Sequence, residues 1–248
     1  RTLTPNSQEI VKKLEGGLTI TTYSNLLDDD FMKAIPRYQN YDKSNFREYV
    51  RFKPEIKMKY VYYYDTVTSP SQDKRYPGLN TEQRAKEIMR IHGLDSNMFL
   101  KPEEIRAQID LLPEKNKFVR VLERESGEKT FLRVYNDMGH FPREAEITAA
   151  FKRIVMELPK VGFLIGHGER DIKKLGDRDY NSFTLDKSFR YALINQGFDI
   201  ENVILDKEVN PEIRILVIAE VRDEMSEVEC ENLDKYIACG GNLLIMSE

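Results

Sequence analysis

The sequence predicts an α/β protein whose architecture changes part-way along the chain. Up to residue 158 the elements run strand, helix, strand, helix, then strand, strand, helix, the order of a thioredoxin-like fold with extra helical material ahead of the hairpin. From Lys160 onward, near-continuous apolar strands alternate with helices, the pattern of a parallel sheet covered on both faces. Pro159 stands between the two regimes, so the expected division is residues 1–158 and 159–248.

The elements follow from local signals. Residues 6–14 carry Ile10, Val11 and Leu14 at helical spacing, and Gly16-Gly17 ends that helix. Residues 18–24 (LTITTYS) are β-branched and predict a strand. Residues 44–52 predict one helix, capped by Asp42 or Ser44 and closed by Pro54. Residues 56–64 alternate Ile56, Met58, Tyr60, Tyr62 and Tyr64 against Lys57, Lys59, Val61 and Tyr63, a second strand. Residues 66–80 are expected to be a loop, and residues 81–92 a helix capped by Thr81 and stopped by Gly93. Pro102 opens a helix over 101–110. Ser126-Gly127 joins strands 118–124 and 130–135 into a hairpin, and a helix over 143–158 follows Pro142.

Beyond Pro159, strands are expected at 161–165, 202–205, 213–219 and 242–246, with helices at 185–196 and 226–238. Ser226 with Glu229 three residues on forms a capping box. Gly240-Gly241 ends that helix.

Composition narrows the function classes. Forty per cent apolar and 32% charged residues fit a globular protein, and a net charge of −4 provides no basic footprint for nucleic acid. No apolar run approaches the roughly 18 residues that span a bilayer. The chain opens on Arg1 and stops just after the apolar run 243–246, so both ends read as cut points, with room for a membrane segment on either side. Cys230 and Cys239 are the only cysteines. On one helix they would stand roughly 13 Å apart, too far for a disulfide, and they are expected to be small buried residues. A thioredoxin-like part with no cysteine before Cys230 has no dithiol chemistry.

The most informative run is Lys160 to Arg170, a buried strand breaking into Gly166-His167-Gly168-Glu169-Arg170. Loops at the carboxyl ends of α/β strands are where ligands usually sit. His167 can act there as a general base or a ligand while the glycines let backbone N–H groups approach an anion. The same residues also make a tight turn needing two positive-φ positions, with His167 bonded to neighbouring backbone. Arg222, in Glu220-Val221-Arg222-Asp223, is expected on the same sheet edge, meeting a carboxylate or a phosphate. His167, Glu169, Arg170 and Arg222 are therefore the candidate binding edge.

Tyr60, Tyr62, Tyr63 and Tyr64 form a possible interaction strand, or simply pack as an aromatic strand. Asp28-Asp29-Asp30 lacks the spaced ligands of a calcium loop and reads as a solvated turn. His92 and His140 have no companion at metal-ligand spacing. No nucleophile completes a catalytic set around His167: neither cysteine lies on a strand-to-helix elbow, and Ser182 and Ser188 lack that setting. No catalytic residue, cofactor or metal is assigned.

The opening residues 1–11 (RTLTPNSQEIV) resemble the segment after the first transmembrane helix of GldG-type auxiliary proteins of ABC transport systems, some of which serve gliding motility. Residues 18–24, 163–169 (FLIGHGE), 217–219 with Arg222, and Tyr236 through 240–244 (GGNLL) are similar to the same family. Glu220-Val221 departs from it, since an Asp-Pro pair often precedes the arginine there. The resemblance implies an extracytoplasmic domain on the periplasmic face of the inner membrane, tethered by helices beyond this sequence, with ABC permease and ATPase subunits as partners. It also implies a second part similar to class I glutamine amidotransferase-like, flavodoxin-like domains, acting as an interaction module. The leading expectation is a non-enzymatic domain that binds a partner or cargo. The alternatives are a hydrolase or amidotransferase-like enzyme centred on His167 and Glu169, and a small-molecule module, for instance for a glycan.

Overall fold

A computed structural model describes residues 2–176 and 179–247; Arg1, where the first motif of the family resemblance begins, and Glu248 lie outside the described residues. The protein is α/β, and its packing divides it into two units. One takes the chain up to Val134 together with Pro142–Val155; the other takes Tyr135–Phe141 and the chain from Met156.

In the first unit, α1 (Pro5–Lys12) begins with proline in its first turn, and the Thr4 hydroxyl accepts the Ser7 N–H. Then come β1 (Leu18–Asn25), α2 (Gln39–Ser44), α3 (Arg47–Phe52), β2 (Ile56–Tyr63), α4 (Pro70–Arg75), α5 (Thr81–His92), β3 (Phe99–Leu100) and α6 (Pro102–Gln108). A hairpin of β4 (Val119–Arg124) and β5 (Lys129–Arg133) and helix α7 (Glu144–Val155) complete the unit. The sheet order is β3-β2-β1-β4-β5, parallel from β3 to β1 and antiparallel from β1 to β5. The period-2 pattern sends Leu18, Ile20, Ile56 and Leu122 to one face, where α1, α3 and α7 bury them with Ile10, Tyr49, Ile147 and Phe151. The opposite face is covered around Tyr63 and Val119 by Ile105 and Leu111.

Three sequence expectations for this unit are corrected. The cap of α5 is Asn80, whose side chain accepts the Gln83 N–H, and not Thr81. The single helix over 44–52 is two, α2 and α3, and Asp42 is not a cap. It lies inside α2, buried, and pairs with the fully buried Arg120 of β4. The break near Phe46 brings that ring within 5.4 Å of the Arg120 guanidinium, which also lies 4.9 Å from the Phe118 ring. Within the loop expected over 66–80 lies α4, started by Ser69 as cap and Pro70 in the first turn.

In the second unit, β6 (Lys160–Leu164), α8 (Asn181–Thr184), β7 (Asp199–Val203), β8 (Ile213–Ala219), α9 (Glu227–Ala238) and β9 (Asn242–Met246) follow in turn. The four strands are parallel, in the order β7-β6-β8-β9. Leu164, Leu205, Leu216, Ile218 and Tyr236 fill one face, and Val161, Phe163, Ile172 and Val217 the other. A Cβ on Gly241 would come within 2.4 Å of the Tyr236 ring, so this glycine lets the ring close over the end of α9.

The helix expected over 185–196 does not form. Side chains there take the backbone's partners: Asp186 accepts the N–H and hydroxyl of Ser188, and the Asn195 amide donates to the carbonyls of Asp186, Lys187 and Phe189. Arg190 is itself buried and is drawn into an ion pair with the exposed Asp137. Cys230 and Cys239 are exposed thiols rather than buried ones, because α9 turns Asn232 and Tyr236 inward instead. No helix among the described residues is long and apolar enough to cross a membrane.

Candidate functional site

From β6 the chain goes to β7 at one edge of the sheet, then returns across β6 to β8. Direction therefore reverses between β6 and β8, and in open parallel sheets the crevice outside the carboxyl ends of such a pair is the usual ligand site. Residues 165–170 leave β6 there, and residues 220–223 leave β8.

The two loops are bonded to each other. The His167 carbonyl accepts the N–H groups of Arg222 (2.8 Å) and Asp223 (3.1 Å), and Arg170 N–H donates to the Ala219 carbonyl. Gly166 and Gly168 adopt φ of +125° and +76°, so the turn needs two residues without a Cβ penalty. A side chain on Gly168 would also meet the Arg222 side chain at 3.2 Å.

His167 is buried, and both ring nitrogens face carboxylates. Nδ1 lies 3.2 Å from Glu169 Oε1, and Nε2 lies 3.2 Å from Glu229 Oε1 in the first turn of α9. Burial works against the charged imidazole, but the hydrogen bond to Glu229 and the negative charges of Glu169 and Glu229 outweigh it. The His167 pKa is raised above the ordinary histidine value. Glu229 is the capping-box glutamate: it accepts the Ser226 N–H and hydroxyl, and these bonds, with His167, hold its pKa low. Glu169 also accepts the His167 N–H at 2.6 Å.

Arg170 donates through Nε to Glu220 Oε1 at 2.6 Å and lies 5.4 Å from the Tyr180 ring. Glu220 has a φ of +56°, and Arg170 holds its pKa low. Arg222 reaches Glu220 at 3.6 Å, and its side chain is half exposed. The structure thus brings His167, Glu169, Arg170 and Arg222 together, each facing a carboxylate or, in the case of Glu169, the imidazole. The partner missed in the sequence is Glu229. Its capping role was legible, but nothing local in the sequence joins it to a histidine 62 positions earlier.

The tyrosines of β2 lie in the other unit. Tyr60 donates to Asp42 Oδ2 (2.7 Å), Tyr62 to the Ala34 carbonyl (2.7 Å) and Tyr63 to the Asn116 carbonyl (3.1 Å). Tyr63 and Tyr64 are buried and the other two half-buried.

Nor is the acidic run after β1 a solvated turn throughout. Asp28 is buried, accepts the Phe118 and Asp29 N–H groups, and its pKa is pushed up to about 6, chiefly by burial. Asp29 accepts from Ser69 and Ser71. Among the described residues no group of three or more His, Cys, Asp or Glu is arranged to hold a metal ion. His140 faces the Tyr135 carbonyl, and His92 packs edge-on against Phe31.

Residues 158–248 match the family model of an ABC-type uncharacterized transport system. That match spans the strands and helices of the parallel sheet, including the whole His167 turn, and suggests an auxiliary component of an ABC transport system. The residues before 158 lie outside it. No curated protein matches the chain, and no solved structure does.

Proposed function

We propose that this chain is a non-catalytic domain of an ABC-transporter auxiliary protein, of the GldG-like kind, and that it binds a partner or cargo on the extracytoplasmic side of the membrane. The observation that carries the reading is the transport-family match over the parallel-sheet unit. The geometry of the crevice supports it. A general base needs a free ring nitrogen facing a hydroxyl, thiol or water to deprotonate, whereas both His167 nitrogens face glutamates. The histidine clasps α9 to the β6 turn instead.

A class I amidotransferase-like, flavodoxin-like ancestry for this unit is supported by the strand order, in which the first strand lies inside and the second at the edge. A thioredoxin-like origin for the first unit is supported by two parallel strands continued by an antiparallel hairpin.

Solubilising the native protein in mild detergent and identifying what copurifies tests the proposal. Recovery of an ABC permease and ATPase is the expected result. A purified chain that hydrolyses esters or amides, and loses that rate in His167→Ala, would establish the enzyme reading in its place.

A further inference from the structure

Strand β2 has a neighbour on both sides only at its end. Strand β3 pairs with it at Tyr62 and Tyr63, and beyond these Tyr64 N–H donates to the Leu100 carbonyl. Residues 57–61 pair with β1 on one side, and among the described residues no strand pairs with the other. Five residues of main chain, about 17 Å of strand, are left as an open edge.

The side chains along that edge differ between its faces. Lys57 and Lys59 point to one face, exposed, beside Thr19 and Thr21 of β1, and neither has an ion-pair partner among the described residues. On the other face Met58 and Tyr60 are half-buried, with Lys43 Nζ 5.7 Å from the Tyr60 ring. The surrounding stretch, residues 33–59, carries eight basic residues against three acidic ones in a chain whose net charge is −4.

Lysines on an edge strand repel a second edge of the same kind. The same charges select an acidic one. An added strand places every second side chain opposite Lys57 and Lys59, at a spacing where opposite charges attract. A nucleic acid or acidic glycan would use only the charge, whereas an extended peptide also satisfies the open N–H and C=O groups.

We propose that the open edge of β2 at residues 57–61 binds an extended acidic segment of a partner protein as an added strand, with alternate carboxylates facing Lys57 and Lys59. The inference does not rest on a transport role. A chain that copurifies with no transporter subunit would still bind such a segment, and failure to bind leaves the copurification result untouched.

The test uses the whole 248-residue chain, labelled with nitrogen-15. The probe is a capped peptide alternating Glu and Val over six residues, with Gly-Ser flanks. Binding is expected to shift the amides of residues 57–61 and to slow hydrogen exchange at Met58 and Tyr60, whose N–H groups face the open side. Lys57→Glu with Lys59→Glu, both exposed substitutions, is expected to weaken binding roughly tenfold or more. The Lys57→Ala, Lys59→Ala pair should give a smaller loss. A peptide N-methylated at alternate residues should not bind. The proposal is overturned if exchange at Met58 and Tyr60 is unchanged, if the glutamate variant binds as well as the parent, if the N-methylated peptide binds equally, or if an oligonucleotide of equal charge competes at the same affinity.

Discussion

Arg120 is fully withdrawn from water, and its charge is tolerated because Asp42 pairs with it and Phe46 and Phe118 offer their ring faces. Such a pair contributes little over an apolar replacement, but breaking it leaves a bare buried charge. Asp42→Ala is therefore expected to lower stability by about 3–5 kcal/mol in urea unfolding, with much of the loss recovered when Arg120→Met is added. His167 makes the opposite kind of residue-level statement, one about protons. Its folded pKa is raised, so the stability it contributes is complete below the unfolded value of about 6.5 and is lost as pH rises through the folded one. The ring titration followed by NMR is expected to have its midpoint above about 6.5 and to fall in Glu229→Gln. A midpoint unchanged by that substitution would remove Glu229 from the clasp.

Helix α9 shows how one element ties local sequence to the site. Its capping box orients Glu229, and the same carboxylate faces His167. Ser226→Ala is expected to cost about 1 kcal/mol as a lost cap. It should also lower the His167 midpoint, because Glu229 loses the hydroxyl bond that helps to aim it and keeps only the main-chain one; a purely local capping role predicts no such movement. The α9 cap, the hairpin through Gly127 and the four parallel strands were legible because each depends on nearby residues. Residues 185–196 form no helix for a physical reason visible only in three dimensions: Asn195 has three carbonyls within reach once the loop turns, and Arg190 is held by Asp137, 53 positions away. The α2–α3 break fails to show for the same reason, since it answers to Arg120 on a distant strand. Of the site, the sequence supplied the His167 turn and Arg222. The inward-facing Glu229 waited for the fold.

At the scale of the whole molecule the two units are expected to answer acid differently. In the first, Asp28 titrates near pH 6 against an unfolded value of about 3.9. Between those values the native state holds a proton that the unfolded chain has released. Stability of that unit therefore rises as pH falls from 6 to about 4, and Asp28→Asn should flatten the change. In the second, Arg190 holds the Asp137 carboxyl well below the usual range, Arg170 lowers Glu220, and the Ser226 bonds with His167 lower Glu229. These contributions are present above the unfolded values of about 4 and are lost as pH falls through the folded ones. Charging His167 strengthens the same unit as pH falls through its raised folded pKa towards about 6.5, so its stability should pass through a maximum before falling in acid. Pulsed hydrogen exchange read by peptide mass, from pH 8 to pH 3, separates the two. Protection in β1 and β4 is expected to gain between pH 6 and about 4, and that in β6, β8 and α9 to decline below about pH 4. Loss in β1 and β4 first would show that Asp28 does not titrate as its burial dictates.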